Sequence, residues 1–329
     1  MKRISLLMAM VVLSALVVAP AVVNAKPLVL SNYWFLDRNA LQYAEGLKWF
    51  IKVVEERTNG EIKFKDFCCG ELGGDLETVE QMREGSIDFR TCGLMLYGRY
   101  VKEIDNIGLP FLFRDYAHVW KFVSSDLFFD IVAPVRTMGM EPIACFNAGF
   151  RDVQSVNKRL VTVEDAKRYK LVIPPIKAWT KVWEYFGAHP VVMPPAEFYM
   201  AMMTKMVDGS AEAATNSSSY KINETCKYYI NLQWSWMGPM MMMNKKRYDS
   251  LSPEFQKIIK EEAMKAAKRT FDKGEAKNME AVKWLESKGV EIVQPDRESW
   301  IKKANEAYKS FEGQDWFRPD IIEKIRAIQ

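Results

Sequence analysis

One stretch near the end of the chain limits what it can fold into. Ser252-Pro253-Glu254 carries three signals of a helix start: a serine N-cap, proline at the first helical position and an acid in the first turn. From there to Lys288 only Gly274 interrupts the helical pattern, and Gly289 supplies a stop. About 35 residues rising ~1.5 Å each predict a rod of roughly 50 Å. A small domain is narrower than that, so the helix is expected to span two lobes.

The remaining chain alternates short apolar runs with 3.6-periodic segments, the pattern of an α/β protein. Strands are expected at 27–32, 61–67 and 87–92, and in a second series near 142–147, 170–173 and 191–193. Leu41, Ala44, Leu47, Phe50, Val53 and Val54 mark an amphipathic helix over 40–57, closed by Asn59-Gly60. A second helix over 75–83 stops near Gly85. No repeat or low-complexity linker separates the halves, so strands and helices must join the lobes.

Lys plus Arg total 46 against 42 Asp plus Glu, a formal net charge of +4. That balance is too even for a nucleic-acid footprint. Lys2 and Arg3, the apolar run 4–18 and the small residues up to Ala25 read as a secretory signal peptide over 1–25. Its removal lowers the charge to +2. No later stretch is long and apolar enough to span a bilayer. Five cysteines remain, Cys68, Cys69, Cys92, Cys145 and Cys226. The adjacent pair Cys68-Cys69 has no second pair at metal-ligand spacing, so packing residues with at most one disulfide are expected. No Gly-x-Ser-x-Gly, Walker, Gly-x-Gly-x-x-Gly or His-Glu-x-x-His motif occurs, and the two histidines, His118 and His189, are isolated. An enzyme is therefore the weaker class.

A series of short motifs carries a resemblance over nearly the whole chain after residue 25. It begins with Thr58-Asn59-Gly60, Glu71-Leu72-Gly73-Gly74-Asp75-Leu76-Glu77 and Arg83-Glu84-Gly85-Ser86-Ile87-Asp88. Leu109-Pro110-Phe111-Leu112-Phe113, Gly149-Phe150-Arg151, Glu197-Phe198-Tyr199 and Val207-Asp208-Gly209 follow. Cys226-Lys227-Tyr228 and Asn244 before Ser252-Pro253-Glu254-Phe255-Gln256 complete it. In this order the motifs resemble the solute-binding subunits of tripartite ATP-independent periplasmic (TRAP) transporters, of the DctP type. The resemblance implies a two-lobed α/β periplasmic-binding-protein fold with a ligand cleft between the lobes and the long helix crossing both. It implies lobe I over 26–148 plus 238–275 and lobe II over 149–237 plus 276–329. It further implies a monomeric periplasmic receptor, without cofactor, metal or nucleic acid, that hands a small organic ligand to membrane permease subunits. A sensor for a membrane signalling protein and an exported hydrolase or lyase are the alternatives.

The family usually holds a ligand carboxylate with arginines, whose forked donors suit it. Arg151 matches one of them. Where the principal arginine belongs, Tyr169-Lys170-Leu171-Val172-Ile173-Pro174 carries Val172, and the family's glycine in the preceding turn is Arg168. Glu212 stands where a ligand-facing polar residue, commonly Asn, is expected. One cation lost and one anion gained argue against a C4-dicarboxylate. Gly93 after the third strand, Tyr33 and Trp34 after the first, Trp179, Trp234 and Trp236 are the further candidates to line the cleft. Most Trp residues are packing residues, but jointly these suggest an aromatic or amine-bearing ligand, or a zwitterion, held by stacking or cation–π contact.

Overall fold

The computed structural model describes residues 26–34 and 43–329. The expected signal peptide over 1–25, and the start of the helix expected over 40–57, lie outside the described residues. Eleven strands, among the described residues, form two sheets. The first sheet has the order β2-β1-β3-β10-β4, built from β1 (Leu28–Trp34), β2 (Ile62–Cys68), β3 (Phe89–Gly93), β4 (Met140–Cys145) and β10 (Pro239–Asn244). The second runs β11-β9-β5-β8-β6-β7, from β5 (Phe150–Ser155), β6 (Lys170–Ile173), β7 (His189–Val192), β8 (Gly209–Ser210), β9 (Tyr228–Trp236) and β11 (Glu291–Val293). β1 lies parallel to β2 and β3, and β6 parallel to β7 and β8, while β10 and β9 run antiparallel to their neighbours β3 and β5.

Helices cover the sheets. The first lobe carries α1 (Ala44–Arg57), α2 (Asp75–Glu84), α3 (Tyr116–Val123) and α4 (Asp126–Val132). The second carries α5 (Lys177–Tyr185), α6 (Phe198–Met203) and α7 (Ile222–Thr225), and α8 (Lys245–Asp249) follows β10. α1 buries Leu47, Phe50 and Val54, the apolar stripe that its spacing predicts. α2 ends at Gly85 with φ +91°, a left-handed cap that glycine adopts without a Cβ penalty.

The long helix is two rods. α9 (Pro253–Asp272) and α10 (Gly274–Ser287) meet at Lys273, a one-residue turn with φ −97° and ψ −5°. The interruption falls one residue before Gly274, where the sequence breaks the helical pattern. α9 starts as read: the Ser252 hydroxyl accepts from the Phe255 amide at 3.2 Å. It packs on α1 and β4. The approach to α1 is close, since a Cβ at Gly46 would sit 2.7 Å from the Thr270 methyl. α10 packs instead on the turn Ala214–Asn216 and on β11. The pair therefore crosses both lobes.

Two strand crossings complete the connection. Phe146 to Gly149 joins β4 to β5, and Met237-Gly238 joins β9 to β10. A continuous apolar core runs behind them, from Met240 and Met242 in one sheet to Val153, Leu171 and Trp234 in the other. The chain closes with α11 (Arg297–Ser310) and α12 (Pro319–Arg326), the latter lying against the turn Lys102–Gly108. The Asn106 amide donates to the Trp316 carbonyl at 2.7 Å, so the end of the chain straps back onto the first lobe's side. Cys68 and Cys69 form a disulfide with each other, and Cys92, Cys145 and Cys226 are free and buried. Among the described residues no helix is long and apolar enough to cross a membrane.

Candidate functional site

A cavity of about 420 Å³ opens between the two sheets, within the size range of small-molecule sites. It lies beyond the carboxyl ends of β3, β6 and β7, where α/β sheets present their ligands. Two proline pairs form one wall: Pro174-Pro175 directly after β6, and Pro194-Pro195 after β7. Neither pair can donate a backbone hydrogen bond, so this wall is apolar and stiff. Leu76, Leu96 and Met237 face the cavity from the other elements.

The polar end is built on β5 and on the segment after β8. Arg151 and Glu212 both line the cavity, and Arg151 Nη1 donates to Glu212 Oε2. Their side chains are 5% and 4% exposed. Glu212 is held from three directions. Its amide donates to Gln154 Oε1 at 2.9 Å, and its carbonyl accepts from Gln154 Nε2 at 2.8 Å. Its Oε2 also accepts from Asn216 Nδ2 at 2.9 Å. Arg151 lies 5.7 Å from the Trp179 ring centroid, which backs it. Two buried atoms at this end have no hydrogen-bond partner among the described residues, Arg151 Nε and Asn216 Oδ1. One is a donor and the other an acceptor.

The first lobe contributes a second pair. Asp75 opens α2 and lines the cavity; beneath it Arg90 is fully buried and donates through Nη2 to Asp75 Oδ1. Arg90 Nε also donates to Thr78 Oγ1 at 2.8 Å, and its guanidinium stands 4.8 Å over the Tyr33 ring. Burial pushes the Asp75 carboxyl above the usual carboxylate range, against the attraction of Arg90. Both arginines thus already hold a carboxylate, and Glu77, exposed on α2, adds a third carboxylate to the lining.

Of the residues named from the sequence, Arg151, Glu212 and Gly93 line the cavity. Tyr33, Trp34, Val172, Trp179, Trp234 and Trp236 do not; all are at most 1% exposed. The Tyr33 hydroxyl donates to the Gly73 carbonyl at 2.8 Å and the Trp34 indole to Asp66 Oδ1 at 2.9 Å. Val172 packs with Phe198, Met202 and Val207. The Trp179 indole donates to the Gly108 carbonyl at 2.8 Å, edge-on to Trp234 at 4.9 Å, and that of Trp236 to Asn147 at 3.1 Å. Their apolar rings are spent on the core, so the expected stacking surface of tryptophans is absent from the cavity lining. Arg168 is exposed in a left-handed turn with φ +63° and does not line the cavity either.

Sequence reading missed Tyr43, Asp75, Asn216 and Tyr220, which line the cavity. Burial raises the Tyr220 hydroxyl well above its ordinary range, so it stays protonated and able to donate. The proline pairs were also missed, although Pro-Pro after a parallel strand was a readable signal.

The family model for bacterial extracellular solute-binding protein, family 7 (DctP), matches residues 36–314. The chain is 27% identical over 246 residues to the 2,3-diketo-L-gulonate-binding periplasmic protein YiaO of Escherichia coli, covering 75% of each chain. It is 23% identical over 282 residues to the sialic acid-binding periplasmic protein SiaP of Vibrio cholerae, covering 85% of this chain and 87% of that one. Its fold matches a TRAP periplasmic solute-binding protein from Polaromonas solved with D-erythronate, with a TM-score of 0.86 at 23% identity, over 92% of this chain and 99% of the other. A match of that length, on a two-lobed frame with a cavity between its sheets, shows the family: the chain belongs to the bacterial extracellular solute-binding proteins of family 7, the solute-binding proteins of TRAP transporters.

Proposed function

We propose that this chain is a periplasmic receptor that closes its lobes on one small amine-bearing organic acid or zwitterion and delivers it, as a monomer, to the membrane permease of a TRAP transporter. The lobes are taken to divide at the two strand crossings and just past the helix break, giving 26–148 plus 238–275 and 149–237 plus 276–329. The export signal over 1–25 and the periplasmic relatives support the compartment.

One observation carries the ligand class: Arg151 already holds Glu212 inside the cavity. A carboxylate alone, entering a cleft whose arginines already hold carboxylates, leaves one buried negative charge without a partner, which is costly. A molecule with a carboxylate for Arg151 and an ammonium for Glu212 leaves none. The unpartnered Arg151 Nε and Asn216 Oδ1 offer the same donor–acceptor pairing. An apolar body, aromatic or aliphatic, suits the proline wall. Dicarboxylates and sugar acids are disfavoured on this reading.

The test is mass spectrometry of the molecule released when exported, purified protein is denatured, followed by a thermal-shift panel. A ligand at 100 times its dissociation constant adds about 2.7 kcal/mol. Zwitterionic amino acids should stabilise, whereas succinate and D-galacturonate should not. The reverse ranking overturns the ligand class.

A further inference from the structure

Three chain segments join the lobes, and a single side chain ties all three together. Asn147, on the first strand crossing, is fully buried. Its Oδ1 accepts from the Gly149 amide at 2.9 Å and from the Trp236 indole, at the edge of the second crossing, at 3.1 Å. Its Nδ2 donates to the Thr270 carbonyl at 3.3 Å, and its own amide donates to Thr270 Oγ1 at 2.9 Å. Thr270 lies in the last turn of α9, three residues before the break at Lys273.

The chemistry at this node is specific to asparagine. Two N–H groups converge on Oδ1 while Nδ2 donates, so one short side chain must supply both an acceptor oxygen and a donor nitrogen. An aspartate cannot donate to the Thr270 carbonyl, and an aliphatic side chain can neither donate nor accept. The crossings also touch directly, through the Phe146 amide and the Pro239 carbonyl at 2.8 Å. A Cβ on Gly238 would meet the Phe146 carbonyl, so no bulk separates them. Gly149, with φ +94°, closes this crossing immediately before β5, two residues ahead of Arg151.

We propose that Asn147 is the pivot of the hinge, a positioning residue that holds both strand crossings and the helix joint in register. The lobes then turn as two bodies about one axis, and Arg151 enters the cleft in a fixed orientation. The inference rests on the reading that the lobes close, and on no choice of solute.

Spin labels at Lys52→Cys in α1 and Met200→Cys in α6, both exposed, report the interlobe distance distribution of the ligand-free mature chain. Thr270→Val and Trp236→Phe each remove one spoke, and Asn147→Asp removes the donor to Thr270. Each should broaden the distribution about twofold. Trp183→Phe is the control: its indole nitrogen has no partner among the described residues and its ring packs within the second lobe. Equal widths in parent and spoke variants overturn the proposal, as does equal broadening in the control. If Asn147→Asp fails to fold, the two spoke variants decide alone. No solute is added, so failure here leaves the ligand assignment untouched.

Discussion

Replacing Glu212 by glutamine removes one negative charge from the cleft and leaves its shape almost unchanged. The amide oxygen can still accept from Asn216, but Arg151, 5% exposed, loses its counter-charge. Removing one member of a buried ion pair costs about 3–5 kcal/mol, because the partner charge is left uncompensated. Unfolding entropy near 2.1 cal/mol/K per residue over about 300 residues gives ~0.6 kcal/mol/K. Glu212→Gln should therefore lower Tm by roughly 5–8 °C. A monoanion can now supply the missing charge. D-Galacturonate or lactate at saturating concentration should recover several degrees in the variant and nothing in the parent. Differential scanning fluorimetry with and without these anions measures both effects. A fall of less than about 1 °C, with no response to anions, would falsify the idea that the pair is buried and coupled.

Other positions give independent checks. Burial pushes the Asp152 carboxyl up to about 7, against hydrogen bonds from Tyr229 and the Gln233 amide. The unfolded chain ionises this group near 3.9, so the native state binds the extra proton between about pH 4 and 7 and stability falls as pH rises through that window. Asp152→Asn should flatten that slope in urea unfolding at pH 5 and 7.5, and parallel slopes would contradict the assignment. Denatured, unreduced protein should titrate as three thiols and reduced protein as five, because Cys68 and Cys69 are joined; five before reduction refutes the bond. A Cβ on Gly209 would strike the Gln154 carbonyl and the Tyr169 hydroxyl, so Gly209→Ala should cost about 1–3 kcal/mol through overpacking. Val172→Arg should destabilise the second lobe, since Val172 is fully buried among Phe198, Met202 and Val207; a stable variant that gained succinate binding would return Val172 to the clamp.

What was legible in the sequence was local. Ser252-Pro253-Glu254 started a helix, and Gly85 ended one, because capping is a contact between near neighbours. Arg151, Glu212 and Gly93 could be found because each sits at or just past a strand end beside a short motif, and strand ends in this fold open on the cleft. The tryptophans could not be placed that way. Trp234 and Trp236 lie on β9, and residue type does not say which sheet face carries an apolar ring. Asp75 looked like a helix N-terminus and nothing more until Arg90, fifteen residues on, appeared beneath it. Gly274 marked the joint beside Lys273, but not that the two halves would pack on different lobes, which no window of sequence contains.

The two ion pairs of the cleft have a kinetic consequence. A receptor with unpaired arginines at its mouth draws anions through its field, and its association rate falls steeply as salt screens that field. Here Asp75 offsets Arg90, Glu212 offsets Arg151 and Glu77 adds one more negative charge to the lining, in a chain whose formal net charge is only +4. No positive field is left at the cleft to draw an anion in and be screened. Solute must arrive without that attraction, and its rate of capture should not fall from dilute buffer to seawater.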